Sequence, residues 1–286
     1  MPSSYVSSHF HIVFSTKNRE RIISEQFQLK LWAYMAGIAT NYGMHALAIG
    51  GMDDHIHALF SLPATMSIAK GAQVLKANSS RWVNQGRPTR FEWQEGYFAC
   101  SVSRSQISRV MKYIANQREH HKKIDHADEM ARLLKMHGFN PQNMPGSYVS
   151  SHFHIVFSTK SRARIISEKL QPKLWACMAD IATNHGMQAL AIGGMDDHLH
   201  ALLSLPATMS IAKGAQLLKT NSSHWVNQGR STRFEWQEGY FACTVSRSQI
   251  SRVMKYIANQ REHHKKIDHA GEMASLLKMH GFDPQS

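Results

Sequence analysis

At 286 residues, the chain is long enough for two modest domains, each with a proper core, and 33 Lys+Arg against 20 Asp+Glu give it a net charge of +13. The bases are spread along folded-looking segments, which argues against a basic tail or an amphipathic membrane helix and favours nucleic acid as partner over mere solubility charge. Three cysteines, Cys100, its counterpart Cys243 and the unmatched Cys177, exclude a disulfide framework. With no signal peptide and no apolar run of bilayer length, a cytoplasmic location is expected.

The chain repeats itself. A shift of 143 positions aligns the two halves with 21 mismatches, a tandem duplication that predicts two domains, 1–143 and 144–286, joined through the Pro-, Gly- and Asn-rich stretch 136–146.

Within one copy, residues 7–15 are β-branched and aromatic and alternate at their start, so they read as a strand. A helix over 24–42 follows, capped by Ser24, with Leu31, Met35 and Ile38 on one stripe and Gly43 as its stop. The second copy has Pro172 in place of Leu29, which costs up to about 3 kcal/mol unless the helix begins later there. Residues 46–49 and 58–62 read as a strand pair around a Gly50-Gly51 turn, enclosing Met52-Asp53-Asp54-His55-Ile56-His57, which returns as Met195-Asp196-Asp197-His198-Leu199-His200. Strand alternation points His55 and His57 to one face, roughly 7 Å apart, and Ile56 to the other. Such a pair can share one cation, or be two surface histidines; Asp53 and Asp54 fit as further ligands, as orienting groups or as turn residues. His9 and His11 form a rival pair, but the apolar run that follows them favours packing or substrate contact.

A helix over 67–85 carries Ile68, Ala72, Leu75 and Trp82 at helical spacing and Lys70, Lys76 and Arg81 on its polar side, as phosphate contacts or a solvated face. Residues 91–102 predict a strand bent at Gly96, whose aromatics serve mainly the core, with base stacking as the alternative. A last clear helix spans 103–121. Ile107, Val110, Met111 and Ile114 form its apolar stripe, while Tyr113 lies on the polar face with Gln106, Arg109, Asn116, Gln117 and His120. The second copy keeps that face as Gln249, Arg252, Tyr256, Asn259, Gln260 and His263. A tyrosine there is either a surface residue without a task or a functional group among donors and cations. Strand, helix, two strands, helix, strand and a terminal helix give a split β-α-β order. The fold class is α+β: two ferredoxin-like or RNA-recognition-motif-like domains, each an antiparallel sheet with helices on one face and a late tyrosine-bearing helix.

Taken together, the strand His55-Ile56-His57, the helix reading Tyr113-Ile114-x-Asn116-Gln117 about 56 residues on, and Phe91-Glu92-Trp93-Gln94-Glu95-Gly96-Tyr97 resemble the single-tyrosine HUH transposases of the insertion sequence 200/605 group and the REP-associated tyrosine transposases. The resemblance covers nearly all of each copy. It implies that His55, His57 and Gln117, and in the second copy His198, His200 and Gln260, bind Mg²⁺ or Mn²⁺. It also implies that Tyr113 and Tyr256 are nucleophiles that cut and rejoin single-stranded DNA at hairpin-marked ends through a 5′-phosphotyrosine. Lys70, Lys76, Arg81, Arg104 and Arg109, with Lys213, Lys219, Arg247 and Arg252, are the candidate DNA contacts. Relatives are homodimers with composite sites, so the fused copies are expected to form a single-chain pseudo-dimer with sites His55/His57/Tyr256/Gln260 and His198/His200/Tyr113/Gln117, or to pair with a second chain. The competing reading is a non-catalytic binder of single-stranded or hairpin DNA, a decayed or recruited transposase.

Overall fold

Alternating apolar side chains over 9–15, 45–51 and 55–61 are realised as three adjacent strands in a computed structural model that describes residues 4–140 and 146–283. In chain order the first copy forms β1 (Ser4–Ser7), β2 (His9–Ser15), α1 (Glu25–Asn41), β3 (His45–Gly51), β4 (His55–Ser61), α2 (Ile68–Val83), β5 (Tyr97–Ser101), α3 (Ile107–Ala115), α4 (Gln117–His121) and α5 (His126–Met136). The second repeats this as β6 (Ser147–Ser150), β7 (His152–Ser158), α6 (Gln171–Asn184), β8 (Gln188–Gly194), β9 (His198–Ser204), α7 (Ile211–Asn227), β10 (Tyr240–Thr244), α8 (Ile250–Ala258), α9 (Gln260–His263) and α10 (His269–Met279). Among the described residues no helix is long and apolar enough to cross a membrane.

The chain divides into two compact units, His9–Ser150 and Met1–Ser8 with Ser151–Ser286. The repeat boundary at 143 and 144 lies outside the described residues, as do residues 141–145 of the joint. Each unit includes the leading strand of the other sequence copy. In the unit His9–Ser150 the sheet order is β3-β4-β2-β5-β6, antiparallel except that β6 runs parallel to β5. In the other unit the order is β8-β9-β7-β10-β1, with β1 parallel to β10. The sheets are therefore mixed at one edge, where a purely antiparallel sheet was expected.

Helices cover both faces, not one. Register places His11 and Val13 of β2 beside His57 and Leu59 of β4 and beside Phe98 and Cys100 of β5. On this face Leu59 packs on Ile114 of α3, and Val13, Phe98 and Cys100 pack on Leu134 of α5. On the other face Phe14 carries Lys76 of α2 over its ring. The reason is that β2 and β4 are buried along nearly their whole length, so apolar residues of either parity need cover.

Three local expectations change, and the open question at Pro172 is answered. The turn between β3 and β4 is Met52-Asp53-Asp54, while Gly50 and Gly51 belong to β3. Only Tyr97–Ser101 of the predicted strand 91–102 joins the sheet, with Trp93 making an isolated bridge to Thr16. Gly96 has φ +76°, and a side chain there would overlap the Gly146 carbonyl just ahead of β6. The predicted helix 103–121 is three pieces: a 3₁₀ turn over Arg104–Gln106, then α3 and α4, separated at Asn116 (φ −98°, ψ 19°). Finally, α6 starts at Gln171, later than α1 by the copy alignment, so that Pro172 falls in its first turn, where a missing N–H costs no hydrogen bond.

Candidate active site

Strand β4 sets the first half of the site. His55 and His57 emerge on the same face with ring centroids 5.2 Å apart, and both are essentially inaccessible. Each ring is oriented through its Nδ1. His55 Nδ1 meets Asp54 Oδ1 at 2.6 Å, and His57 Nδ1 meets His11 Nε2 at 3.0 Å. Both Nε2 atoms are thereby turned into the same space, the arrangement by which outer groups fix imidazole ligands. Asp54 is thus an orienting group, and its backbone carbonyl accepts from Thr16, while the Asp53 carbonyl accepts from Ile23. His11 is neither an independent metal pair with His9 nor plain packing; it holds His57. Burial pushes the His11 imidazole well below its ordinary pKa and lowers that of His57 to about 4, against the pull of the nearby Glu129 carboxylate, so both rings are neutral at pH 7.

Helices α3 and α4 bring the second half. Glycine at position 50 permits the approach, since a Cβ there would stand 2.7 Å from the Ile114 carbonyl oxygen. Ile114 packs on Leu59 and Val102, which swings Tyr113 across the histidine face. The Tyr113 ring lies edge-on to His57 (centroids 5.5 Å) and to His11 (6.0 Å). The break at Asn116 re-aims the next turn, so that Gln117 is buried, with Oε1 3.5 Å from His55 Nε2 and 3.1 Å from His121 Nε2.

Helix α5 completes the cluster. Asp125 caps it by accepting from the Asp128 N–H at 2.8 Å, and Leu134 seats it on the sheet beside Tyr148 of β6. One turn in, Glu129 is 2% exposed and stands at the middle of the site. Its Oε1 accepts from the Tyr113 hydroxyl and, at 3.1 Å, from Gln117 Nε2. Its Oε2 lies 3.2 Å from His57 Nε2, 3.7 Å from His55 Nε2 and 3.3 Å from His121 Nε2. Burial alone would raise the Glu129 pKa, but the surrounding imidazoles of His126 and His57 and the Tyr113 hydroxyl outweigh it and hold the carboxyl below the usual carboxylate range. Burial, then the Glu129 charge, pushes the Tyr113 phenol well above its ordinary value, so it is protonated at rest.

The second copy reproduces the constellation. His198 Nδ1 meets Asp197 Oδ1 at 2.6 Å and His200 Nδ1 meets His154 Nε2 at 3.0 Å. Tyr256 donates to Glu272, as does Gln260 Nε2 at 3.1 Å. The expected composite pairing is not the one present: Tyr113 and Gln117 meet His55 and His57, and Tyr256 and Gln260 meet His198 and His200, each set inside one unit. The α3-to-sheet packing over Gly50 and Gly193 leaves each tyrosine within reach of its own copy's strand.

The predicted DNA contacts separate into two groups. Arg81, Arg104, Arg109, Arg247 and Arg252 are exposed. The ammonium groups of Lys70 and Lys213, both exposed, donate to Gln73 and Gln216 one turn on, at 3.2 and 3.3 Å. Lys76 and Lys219 are committed elsewhere. Lys76 donates to the carbonyls of Gln94 and Gly96 at 2.6 and 2.7 Å, and Lys219 to those of Gln237 and Gly239 at 2.6 and 2.8 Å, with burial lowering both pKa values. These two ammonium groups tie down the loop before β5 and β10. Beside Tyr256 an open cleft of about 520 Å³ is lined by Arg252, Lys255, Asn259, Glu262, His263 and Lys266, three bases against one acid on the approach to the tyrosine.

Sequence reasoning missed Glu129, His126 and His121, together with Glu272, His269 and His264. The available signal was the i, i+3 pair His126 and Glu129, which sits on one helix face and survives in a helix whose Asp128 and Arg132 become Gly271 and Ser275.

Residues 4–117 and 147–260 each match the family model described as "Transposase IS200 like". Among individual proteins, the chain is similar to the ISDra2 transposase TnpA of Deinococcus radiodurans, 25% identical over 117 residues that cover 38% of this chain and 84% of that protein. It is also similar to the transposase for insertion sequence element IS200 of Salmonella typhimurium, 26% identical over 131 residues, 43% of this chain and 83% of that protein. A solved structure of a REP-associated tyrosine transposase bound to a REP hairpin aligns with 41% of this chain and 70% of its own, at 13% identity and a TM-score of 0.33.

Proposed function

The chain belongs to the IS200-like transposases, and from that premise we propose that each unit cuts and rejoins single-stranded DNA at hairpin-marked ends through its own tyrosine, with a divalent ion held by the histidine pair and the glutamine. The observation that carries this reading is the convergence, in both copies, of tyrosine hydroxyl, glutamine amide and two imidazole Nε2 atoms on one small buried volume. The donor set fits a dication. Donors bound at about 2.1 Å lie about 3.0–3.4 Å from one another, close to the separation between His55 Nε2 and Gln117 Oε1, 3.5 Å. When bound, the ion withdraws charge from the scissile phosphate and so assists attack by a weak phenol nucleophile.

The chain's own residues do the rest. Tyr113 Oη, or Tyr256 Oη, attacks phosphorus; the Oη–P bond forms as the bond to the 3′-oxygen breaks. The phenolic proton passes to Glu129 Oε1, which already accepts its hydrogen bond, and the departing 3′-oxygen takes a proton from solvent to become a free 3′-OH. The 5′ end remains on the tyrosine. Attack by a 3′-OH of another end reverses the step and joins the strands without ATP. Arg81, Arg104 and Arg109, with Arg247 and Arg252, supply exposed positive charge for the phosphates flanking the cut.

The test is incubation of the purified protein with labelled single-stranded DNA bearing candidate terminal hairpins, with Mn²⁺ or EDTA, resolved on a denaturing gel. A metal-dependent covalent adduct that disappears in Tyr113→Phe, Tyr256→Phe establishes the chemistry. Hairpin binding without any adduct moves the protein to the non-catalytic reading.

A further inference from the structure

Accepting a proton at Oε1 does not explain why Glu129 is buried or why its Oε2 faces several imidazoles. A carboxylate removed from water requires a charge partner or a metal, and among the described residues every ion-pair partner of Glu129 is an imidazole. No lysine or arginine answers it. One of those imidazoles belongs to the same helix: His126, one turn before Glu129, is stacked on His55 with ring centroids 4.1 Å apart. Its Nδ1 is buried, has no hydrogen-bond partner, and stands 3.5 Å from Glu129 Oε2. The ligand atoms of His55, His126 and Glu129 all lie within 4.8 Å of one another. In the second copy the same is true of His198, His269 and Glu272, where His269 Nδ1, His200 Nε2 and Glu272 Oε2 are all buried without a hydrogen-bond partner. Buried nitrogen and oxygen atoms of three side chains that face one point, with no closer partners among the described residues than one another at 3.3 and 3.5 Å, are the arrangement a cation resolves.

We propose that helices α5 and α10 each supply two metal ligands, His126 with Glu129 and His269 with Glu272, so that each histidine pair sits in an all-protein site of imidazole and carboxylate donors that selects a transition-metal dication, such as Zn²⁺ or Mn²⁺, over Mg²⁺ and holds it without DNA. The inference rests on His55 and His57 being cation ligands. Its chemistry is the preference of borderline dications for nitrogen donors, against the reluctance of Mg²⁺ to exchange water for imidazole. One carboxylate then serves two neighbours: Oε2 faces the cation, and Oε1 holds the Tyr113 hydroxyl.

Chelator-stripped full-length protein is titrated with Zn²⁺ against a chromophoric chelator, with no DNA present, and is separately loaded with Co²⁺ for visible absorption. Two Zn²⁺ per chain are expected, with a visible Co²⁺ ligand-field band. Glu129→Gln with Glu272→Gln, and His126→Asn with His269→Asn, each weaken Zn²⁺ by at least about 10- to 100-fold and reduce the Co²⁺ band, while circular dichroism melts report folding. His55→Ala with His198→Ala removes tight binding. In the wild-type protein, which needs no variant to fold, micromolar Zn²⁺ raises the melting temperature and millimolar Mg²⁺ does not. Wild-type Zn²⁺ affinity in both helix variants, or equal affinity for Zn²⁺ and Mg²⁺, overturns the proposal. Because none of these readouts uses DNA, a missing covalent adduct alongside the expected Zn²⁺ pattern counts against the proposed strand transfer and leaves the ligand assignment supported.

Discussion

Where the first copy stacks Tyr34 on Trp82 at 4.4 Å and Phe27 on the same indole at 5.6 Å, with Arg87 over the Phe27 ring, the second has Cys177 and Leu170, so Trp225 can form neither stack. The same helix is shorter in the second copy, beginning at Gln171 behind Pro172, and the last helix carries Gly271 where the first has Asp128. None of the substitutions reaches the cluster. Asp54, His55, His57, Tyr113, Gln117, His121, His126 and Glu129 have identical counterparts with hydrogen bonds and ion-pair distances that agree to within about 0.1 Å. The difference teaches that the site is positioned by strand register and by α3 and α5, and is insulated from the helices on the other face of the sheet.

The comparison makes four predictions. The largest concerns equivalence of the sites. Tyr113→Phe and Tyr256→Phe should each leave about half the covalent adduct, and together should reduce it to background on the gel. Because the sites lie within units, Tyr113→Phe with His55→Ala also leaves about half; complete loss in that variant would show composite sites and break the picture.

The second prediction is that both units share one acid sensitivity. Burial holds His57 and His200 neutral, with pKa about 4, while an unfolded imidazole titrates near 6.5. Between those values the unfolded chain binds protons that the folded chain does not. Stability of chelator-treated protein therefore falls as pH is lowered from about 6.5 to 4, by on the order of 2–3 kcal/mol per histidine. Denaturant titrations at pH 7 and pH 5 check it, and a flat profile refutes the buried neutral state.

A smaller effect should separate the copies. Trp82→Ala removes two aromatic pairs that Trp225→Ala does not, so it should cost about 1–2 kcal/mol more in urea unfolding. Equal costs would mean that the stacks contribute nothing. Smallest of all, Gly271→Ala should stabilise α10 by about 0.5 kcal/mol through reduced backbone freedom in the unfolded chain. Its Cβ would come within 2.9 Å of Ile267 Cγ1, so Ile267 must shift, and the first copy accommodates a Cβ at the equivalent Asp128 beside Ile124. A loss of stability would show that this side chain cannot yield.

Much of the site was legible because its elements are local and periodic. Alternation alone put His55 and His57 on one face, and the 100° step alone removed Tyr113 from the stripe formed by Ile107, Val110, Met111 and Ile114. The helix start at Ser67 was likewise readable, and its side chain caps by accepting from the Lys70 N–H, whereas Ser24, the expected cap, stands at the N-cap position of α1 without a side-chain cap bond. Lys76 was misjudged because a lysine on a polar helix face carries no mark of the carbonyls that it will meet 18 and 20 residues away.

The sequence by itself determined the duplication, the order of elements from β2 to the tyrosine helix α3, and the presence of a histidine strand and a tyrosine helix in each copy, because repeats, period and spacing are properties of the chain as written; the leading strands and helices α5 and α10 were not read from it. Tertiary structure alone decided that each tyrosine lies beside its own copy's histidines, that each sheet ends on the other copy's leading strand, and that Glu129 stands among the imidazoles. Those outcomes depend on contacts between residues far apart in sequence, such as the 72 positions between His57 and Glu129. Packing selects such contacts, and no local pattern encodes them.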